Sequence, residues 1–459
     1  MPGRHVSRAA RRDAGRRRRD SVALADHAEL VTEGRADPIG ILTAQDQNRL
    51  QELVPIRHGR MSATAFTFYR GGAAIMAADL AAGPTTDLTV QLCGDAHLSN
   101  FGVFRAADRA MVFDVNDFDE TLPGPFDWDV KRLAASMVVA ARENGLGKKA
   151  ARNAARESVR RYRTTMADCA ERSPLQLNYF MLDVAKIRAR IDPSTTKKQR
   201  KKSDKALRKA QSKNSLRAQN KLTDIVDGKR VIVPDPPLVT RVDRLHEPDE
   251  MPSTRRVFEA YLDTLPNHRR AVLERYSPVD LAHKIVGVGS VGTRCLIVLL
   301  ESGDAEPLFL QFKEATQSVL EPHLGDSKYE IHGERVVKGQ RLMQASGDIF
   351  LGWSRMDRGD GSSSDFYFRQ LWDGKGSAAV EDMDADHLAE YGGACGAALA
   401  LAHARTGDAA TISGYLGDDD TFDRAVGRFA ERYADLNGHD HAAHLDAIES
   451  GRIEAVRDI

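Results

Sequence analysis

Residues 284–303 read KIVGVGSVGTRCLIVLLESG, with Gly287, Gly289 and Gly292 in a GxGxxG array. In a dinucleotide-binding fold such an array opens a helix. Here it runs into Leu296, Ile297, Val298, Leu299 and Leu300, an apolar and partly β-branched run that predicts a strand. The glycines therefore form the turn of a hairpin. A turn without side chains can lie close over phosphates. Gly287, Gly289, Ser290 and Gly292 are the candidate nucleotide-binding residues of this turn. A plain glycine-rich hairpin turn has the same composition, so the neighbouring segments must decide.

Lys313 lies mid-strand in LFLQFKEA, among Leu308, Phe309, Leu310 and Phe312. Period two puts Phe309, Gln311 and Lys313 on one face. After a glycine hairpin, such a lysine suits the α/β-phosphates of ATP, with a helix glutamate to hold it. Glu334 in HGERVVKGQRLMQ is the expected partner, and Glu330 a weaker one. In CGDAHLSN, Asp95 and Asn100 have the D-x-x-x-x-N spacing of a kinase catalytic loop, with His97 between. Asp95 would accept the proton of a substrate hydroxyl and Asn100 would bind magnesium. FDVNDFDE crowds Asp114, Asn116, Asp117, Asp119 and Glu120 at the end of a strand. Carboxylates so close repel one another unless a cation sits among them. Asp129 in PFDWDVKRLA opens a helix, and either anchors the catalytic loop or caps the helix N-terminus. Arg57, Arg60 and Arg70 either read an anion or hold a core acid.

CGDAHLSN, NDFDE and PFDWDVKRLA together resemble the aminoglycoside-phosphotransferase and choline-kinase branch of the kinases. That resemblance implies a metal-binding Asp about a dozen residues before the helix Asp, which selects Asp117. Measured from Asp95, the interval keeps Asp114 as the alternative. Cys93 stands where that branch usually has His. RHGRMSATAFTFYRG, QLCGDAHLSNFG, FDVNDFDETLPGPFDWDVKRLAAS, GERVVKGQRLMQ and FYFRQLWDGKGS further resemble the bacterial family called domain of unknown function 2252, over roughly residues 55 to 410. That family supplies no reaction, so function rests on the site.

In ordinary kinases the glycine hairpin and lysine precede the catalytic loop. Here Asp95 and Asp117 precede Gly287 and Lys313. A circular permutation accounts for this, because domain termini often lie close in space. The expected fold is α+β: a two-lobe kinase-like architecture, circularly permuted. Residues 1–25 are expected to be a disordered basic tail and 26–190 a large-lobe segment with the catalytic and metal loops. A basic insert and linker (191–283), a β-rich nucleotide-binding small lobe (284–380) and large-lobe helices (381–459) follow. Phe368, Arg369, Gln370 and Leu371 fall where a hinge would bind adenine through its backbone. Trp353, Trp372 and Tyr367 read as small-lobe core and hinge.

The net charge of +0 hides an asymmetry: residues 1–20 carry +6, residues 197–217 carry +9, and the remainder sums to −15. Both basic segments lack aromatics, so no base-stacking platform is visible and nucleic acid is not the expected partner. Cys93, Cys169, Cys295 and Cys395 are scattered without a CxxC pair, which fits a reducing cytoplasm. No apolar run reaches the roughly 20 residues of a membrane helix. The expectation is therefore an ATP- and Mg2+-dependent phosphotransferase acting on a hydroxyl or amine. The alternatives are AMP transfer from the same site, or a nucleotide-binding regulatory pseudokinase. Neither the acceptor, small molecule or protein, nor the oligomeric state carries a sequence signal.

Overall fold

The computed structural model describes residues 6–185, 208, 222–241, 251–285, 287, 289, 291–357, 362–371 and 376–457. Ser290, Trp372 and the basic stretch 197–217, Arg208 excepted, lie outside the described residues.

Short helices come first: α1 (Arg8–Arg17), α2 (Pro38–Asp46), α3 (Val54–Ser62), α4 (Ala65–Gly71) and α5 (Ala73–Ala82). Their starts carry the expected chemistry. The Asp37 side chain caps α2 ahead of Pro38, and Thr64 and Thr67 close a capping box on α4. Four short strands follow: β1 (Thr89–Leu92), β2 (Phe101–Arg105), β3 (Met111–Val115) and β4 (Leu122–Pro125). β1 pairs antiparallel with β4 and β2 with β3. These pairings bring together the loop leaving β1 and the loop leaving β3.

Helices α6 (Phe126–Glu143), α7 (Lys148–Ala170) and α8 (Pro174–Tyr179) complete this half. α6 is buried almost all round, which its charges tolerate only because they are paired. Asp127 accepts from Thr86 and faces Lys131 at 3.4 Å, and Arg132 pairs with Asp95.

The second half is built on a sheet. The hairpin β5 (Thr223–Val226) and β6 (Lys229–Ile232) precedes β7 (Val239–Arg241), α9 (Met251–Asp263), α10 (Asn267–Leu273) and β8 (Tyr276–Lys284). Then come β9 (Cys295–Ser302), β10 (Pro307–Ala315), α11 (Glu321–Leu324), α12 (His332–Met343), β11 (Gly352–Asp357) and β12 (Ser363–Gln370). Six of the strands form one antiparallel sheet in the order β11-β12-β10-β9-β8-β7. Alternation along β10 sends Leu308, Leu310 and Phe312 to a core with Phe366, Phe368 and Tyr261 of α9. The Tyr261 ring stacks on Phe368 at 4.1 Å. Phe309 faces the other way, with Ile297, Leu299 and Ile232.

α13 (Ala385–Thr406), α14 (Ala409–Leu416) and α15 (Thr421–Glu449) return to the helical half, where one core joins side chains from both ends of the chain. α13 lies along α7, and its last turn reaches β1: Gln91 N donates to Thr406 Oγ1 at 3.1 Å. The α+β class is thus observed. Among the described residues no helix is long and apolar enough to cross a membrane.

Two expected boundaries are corrected. The sheet begins well before residue 284, since β7 and β8 lie in the stretch read as insert and linker, with α9 packed on β11. Pro278 and Asp280 break the period of β8, and a bulge between them absorbs the mismatch. Of the expected disordered tail 1–25, residues 6–25 are ordered instead, because α1 lies along α14 with Gly15 buried. Three of its arginines meet acids from elsewhere in the fold: Arg8 and Arg12 pair with Glu171 at 2.8 and 2.6 Å, and Arg11 with Asp408 at 2.8 Å. Composition counts charges but not the acids that meet them. Deleting residues 1–20 is expected to lower the melting temperature by a few degrees, where a solvated tail would leave it unchanged; differential scanning calorimetry decides.

Candidate functional site

The loop after β1 is held from below by Asp129, in the first turn of α6. Asp129 accepts from Cys93 N at 2.8 Å and Gly94 N at 3.1 Å, so of its two expected roles it performs loop anchoring. Gly94 has φ +84°, and a Cβ there would run into the carbonyl of Glu120. Glycine alone fits at this point. Asn100 Nδ2 donates to Asp95 O at 2.9 Å and closes the loop. Arg132 grips the Asp95 carboxylate through Nε at 2.8 Å and Nη2 at 2.7 Å. Burial nevertheless raises the Asp95 pKa above the usual carboxylate range, against the pull of Arg132. Burial, with Arg70 and Arg132 nearby, pushes His97 well below its ordinary value and keeps it neutral. His97 Nδ1 accepts from Ser99 N, so its role is to shape the loop.

The acidic loop packs alongside, with Asn116 N donating to Asn100 O at 3.0 Å. Its Asp119 carboxylate meets two groups from the sheet, Lys313 Nζ and the Tyr367 hydroxyl, the latter at 2.7 Å. Burial works to raise Asp119, but Lys313 and Tyr367 outweigh it and hold the carboxyl below its usual value. Lys313 is only 3% exposed, and Asp119 keeps it charged despite that burial. The expected partner Glu334 is not there. It is half-buried in the first turn of α12 and lies 4.0 Å from Lys338. Its neighbour Arg335 docks the helix instead, donating to Thr121 O, Asp119 O and Thr316 O at 2.8–2.9 Å. α12 was placed correctly, but the adjacent residue faces inward.

Asp117 lines the same cleft as Asp95, Asn100, Asp119, Gly287 and Gly289. The cleft measures about 880 Å³ counted to its open mouth. Asp114 does not reach it, which corrects that alternative. Asp114 lies within β3, accepts from Val115 N at 2.9 Å and faces Arg405 at 3.9 Å. Gly292, at φ +90°, turns the glycine loop, and its carbonyl accepts from Leu50 N at 2.8 Å. Arg49 Nη1 donates to Val291 O and Arg60 Nη1 to Gly287 O. The three arginines left open by sequence now separate. Arg57 pairs in the core with Asp46 at 2.7 Å, Arg60 holds the glycine loop, and Arg70 lines the cleft. Arg49, Arg132 and Arg335 were missed. The signal for Arg132 is its place at the head of the apolar run LAASMVVAA.

A family model for an uncharacterized protein conserved in bacteria (DUF2252) matches residues 49–447. The chain belongs to the DUF2252 family. No curated protein and no solved structure gave a match. Asp95, Asn100, Asp117, Asp119, Gly287 and Gly289 of this DUF2252 chain all lie inside the matched span.

Among the described residues no three His, Cys, Asp or Glu side chains group as a metal site. Asp117 and Asn100 are the residues able to hold a hard cation here. Since Asn100 Nδ2 is committed to Asp95, its Oδ1 remains as the ligand atom. A magnesium ion would draw its other ligands from phosphate and water.

Asp114 yields a test of its structural role. Burial pushes its carboxyl up from 3.8 to about 6. A carboxyl raised in the folded state costs no stability below its ordinary value, and the full cost is present above the raised one. Asp114→Asn is therefore expected to stabilise the protein by roughly 2–3 kcal/mol at pH 8 and to change nothing near pH 3.5. Urea unfolding at both pH values checks this, and a loss of stability at pH 8 contradicts it.

Proposed function

We propose that this protein is a magnesium- and ATP-dependent phosphotransferase on a circularly permuted kinase-like fold. One observation carries the reading. Gly287 and Gly289 line one cleft with Asp95, Asn100 and Asp117, although the two groups are almost 200 residues apart and in the reverse of kinase order. The order of parts in the second half supports it. A glycine hairpin, a lysine strand, a helix and two further strands follow one another, with the lysine strand β10 between β9 and β12. The contact of Thr406 with Gln91 supports the permutation. The end of α13 adjoins β1, the strand that leads to the Asp95 loop, and that neighbourhood is what an unpermuted chain order would need.

The roles follow from chemistry. Backbone amides of the glycine turn and the Lys313 ammonium bind the phosphates of ATP. Asp117 and Asn100 would hold a magnesium ion, whose charge would offset that of the phosphates. Asp95 accepts the proton of the acceptor hydroxyl or amine as that oxygen or nitrogen bonds to the γ-phosphorus. The bond from the γ-phosphorus to the bridging oxygen breaks, and ADP leaves. A carboxylate raised by burial is a better base than an exposed one, and Arg132 fixes its direction. The departure from ordinary kinases is the counter-ion of Lys313, which is Asp119 and not a helix glutamate.

Calorimetry of ATP binding with and without magnesium tests the reading. Binding should require magnesium and weaken at least about ten-fold in both Lys313→Ala and Asp117→Ala. Asp95→Asn should keep ATP affinity within about two-fold while abolishing phosphoryl transfer to water or acceptor. A wild type that does not bind ATP, or binding indifferent to Lys313 and Asp117, contradicts it.

A further inference from the structure

We infer that Arg49 and Arg70 form a seat for a phosphate-class oxyanion at the turn of the glycine loop. The inference rests on the phosphotransferase reading only for the identity of the molecule that carries the anion. Both arginines line the cleft, and the Nε of each is buried without a hydrogen-bond partner among the described residues. Four of the nearby acids already have cations of their own. Asp95 pairs with Arg132, Asp119 with Lys313, Glu314 with Arg294, and Asp46 with Arg57. Arg49 feels Asp46, Glu120 and Asp119 through space, and Arg70 feels Asp95, Asp117, Glu143 and Glu381. Burial still outweighs these acids: it brings Arg49 down to about 9 and lowers Arg70. Two half-buried guanidinium groups on an open cleft thus have no ion-pair partner among the described residues.

Their position indicates the class of that anion. Arg49 is fixed to the glycine loop through Val291 O, and the next residue bonds Gly292 O. The Arg70 carbonyl lies 3.5 Å from where a Gly289 side chain would begin. The Arg49 guanidinium therefore sits at the turn where backbone amides can meet phosphate, and Arg70 lines the same cleft within reach of Asp95 and Asp117. A guanidinium fork matches the oxygens of a phosphate better than a point charge does. Arg49 also lines a wider adjoining cavity, which shares Gln45, Glu120, Thr293 and Glu314 with the cleft and continues past Asn48 and Pro322. The seat thus stands between the nucleotide region and a second space, so its anion belongs either to the terminal phosphate of the donor or to a phosphate on the acceptor.

The test uses the full chain and magnesium tripolyphosphate, which needs no nucleoside recognition, beside ATP, ADP and inorganic phosphate. Tripolyphosphate should compete with ATP. Its affinity should fall at least about ten-fold in Arg49→Gln and in Arg70→Gln at unchanged melting temperature, with part of the loss recovered in the Lys variants. Should a Gln variant melt early, its Lys counterpart is read instead, and a loss of roughly three-fold or more supports the seat. A loss for ATP but not ADP assigns the anion to the γ-phosphate. A loss confined to inorganic phosphate added to the ADP-loaded protein assigns it to the acceptor. Folded variants that bind all four probes within about two-fold of wild type overturn the seat. They leave the phosphotransferase reading intact if ATP binding still depends on Lys313 and Asp117. Arginine-dependent tripolyphosphate binding without any ATP binding does the reverse. A wild type that binds none of the four overturns both.

Discussion

A carboxylate cannot remain in a protein interior without donors, and Asp129 is 1% exposed. Its donors are the amides of Cys93 and Gly94 and, at 3.1 Å, His403 Nε2 of α13. This one group therefore ties the loop after β1 to a helix from each end of the chain. The rest of the site is built outward from it. Arg132, one turn along α6, holds Asp95, and Asn100 closes the loop onto the Asp95 carbonyl. Asn116 then docks on Asn100 and carries the acidic loop with it.

Asp119 extends the same chain of contacts into the sheet. Lys313 and Tyr367 lie opposite each other on β10 and β12, and both meet its carboxylate. Arg335 adds three bonds to backbone carbonyls of the acidic loop and of the segment after β10. The acidic loop thus couples the sheet to the helical half. On the phosphotransferase reading, phosphate must share Lys313 with Asp119, so nucleotide binding and the contact between the halves are linked.

Local chemistry was legible in the sequence. A glycine turn followed by a run of apolar, partly β-branched residues reads as a hairpin, Asp95 and Asn100 stand out by their fixed short spacing, and Lys313 is conspicuous in an apolar strand. Partner choice was not legible, because it is tertiary. Asp119 lies 194 residues from Lys313, whereas Glu334 on a following helix is near in sequence but lies beside Lys338. Asp114 and Asp117 are three residues apart, but β3 ends between them, so one is locked beside Arg405 and the other lines the cleft. The basic N-terminal segment misled for a related reason. Its composition is that of a solvated tail, and only the fold brings Glu171 and Asp408 to its arginines.

The central claim is that one Mg-ATP site is assembled from these two distant segments. The most direct measurement is a crystal structure with a non-hydrolysable ATP analogue and manganese, located by anomalous scattering. The account predicts triphosphate between the glycine turn and Lys313, with manganese bound by Asp117 and Asn100. Nucleotide elsewhere, or manganese on Asp114 and away from Asp117, would contradict it.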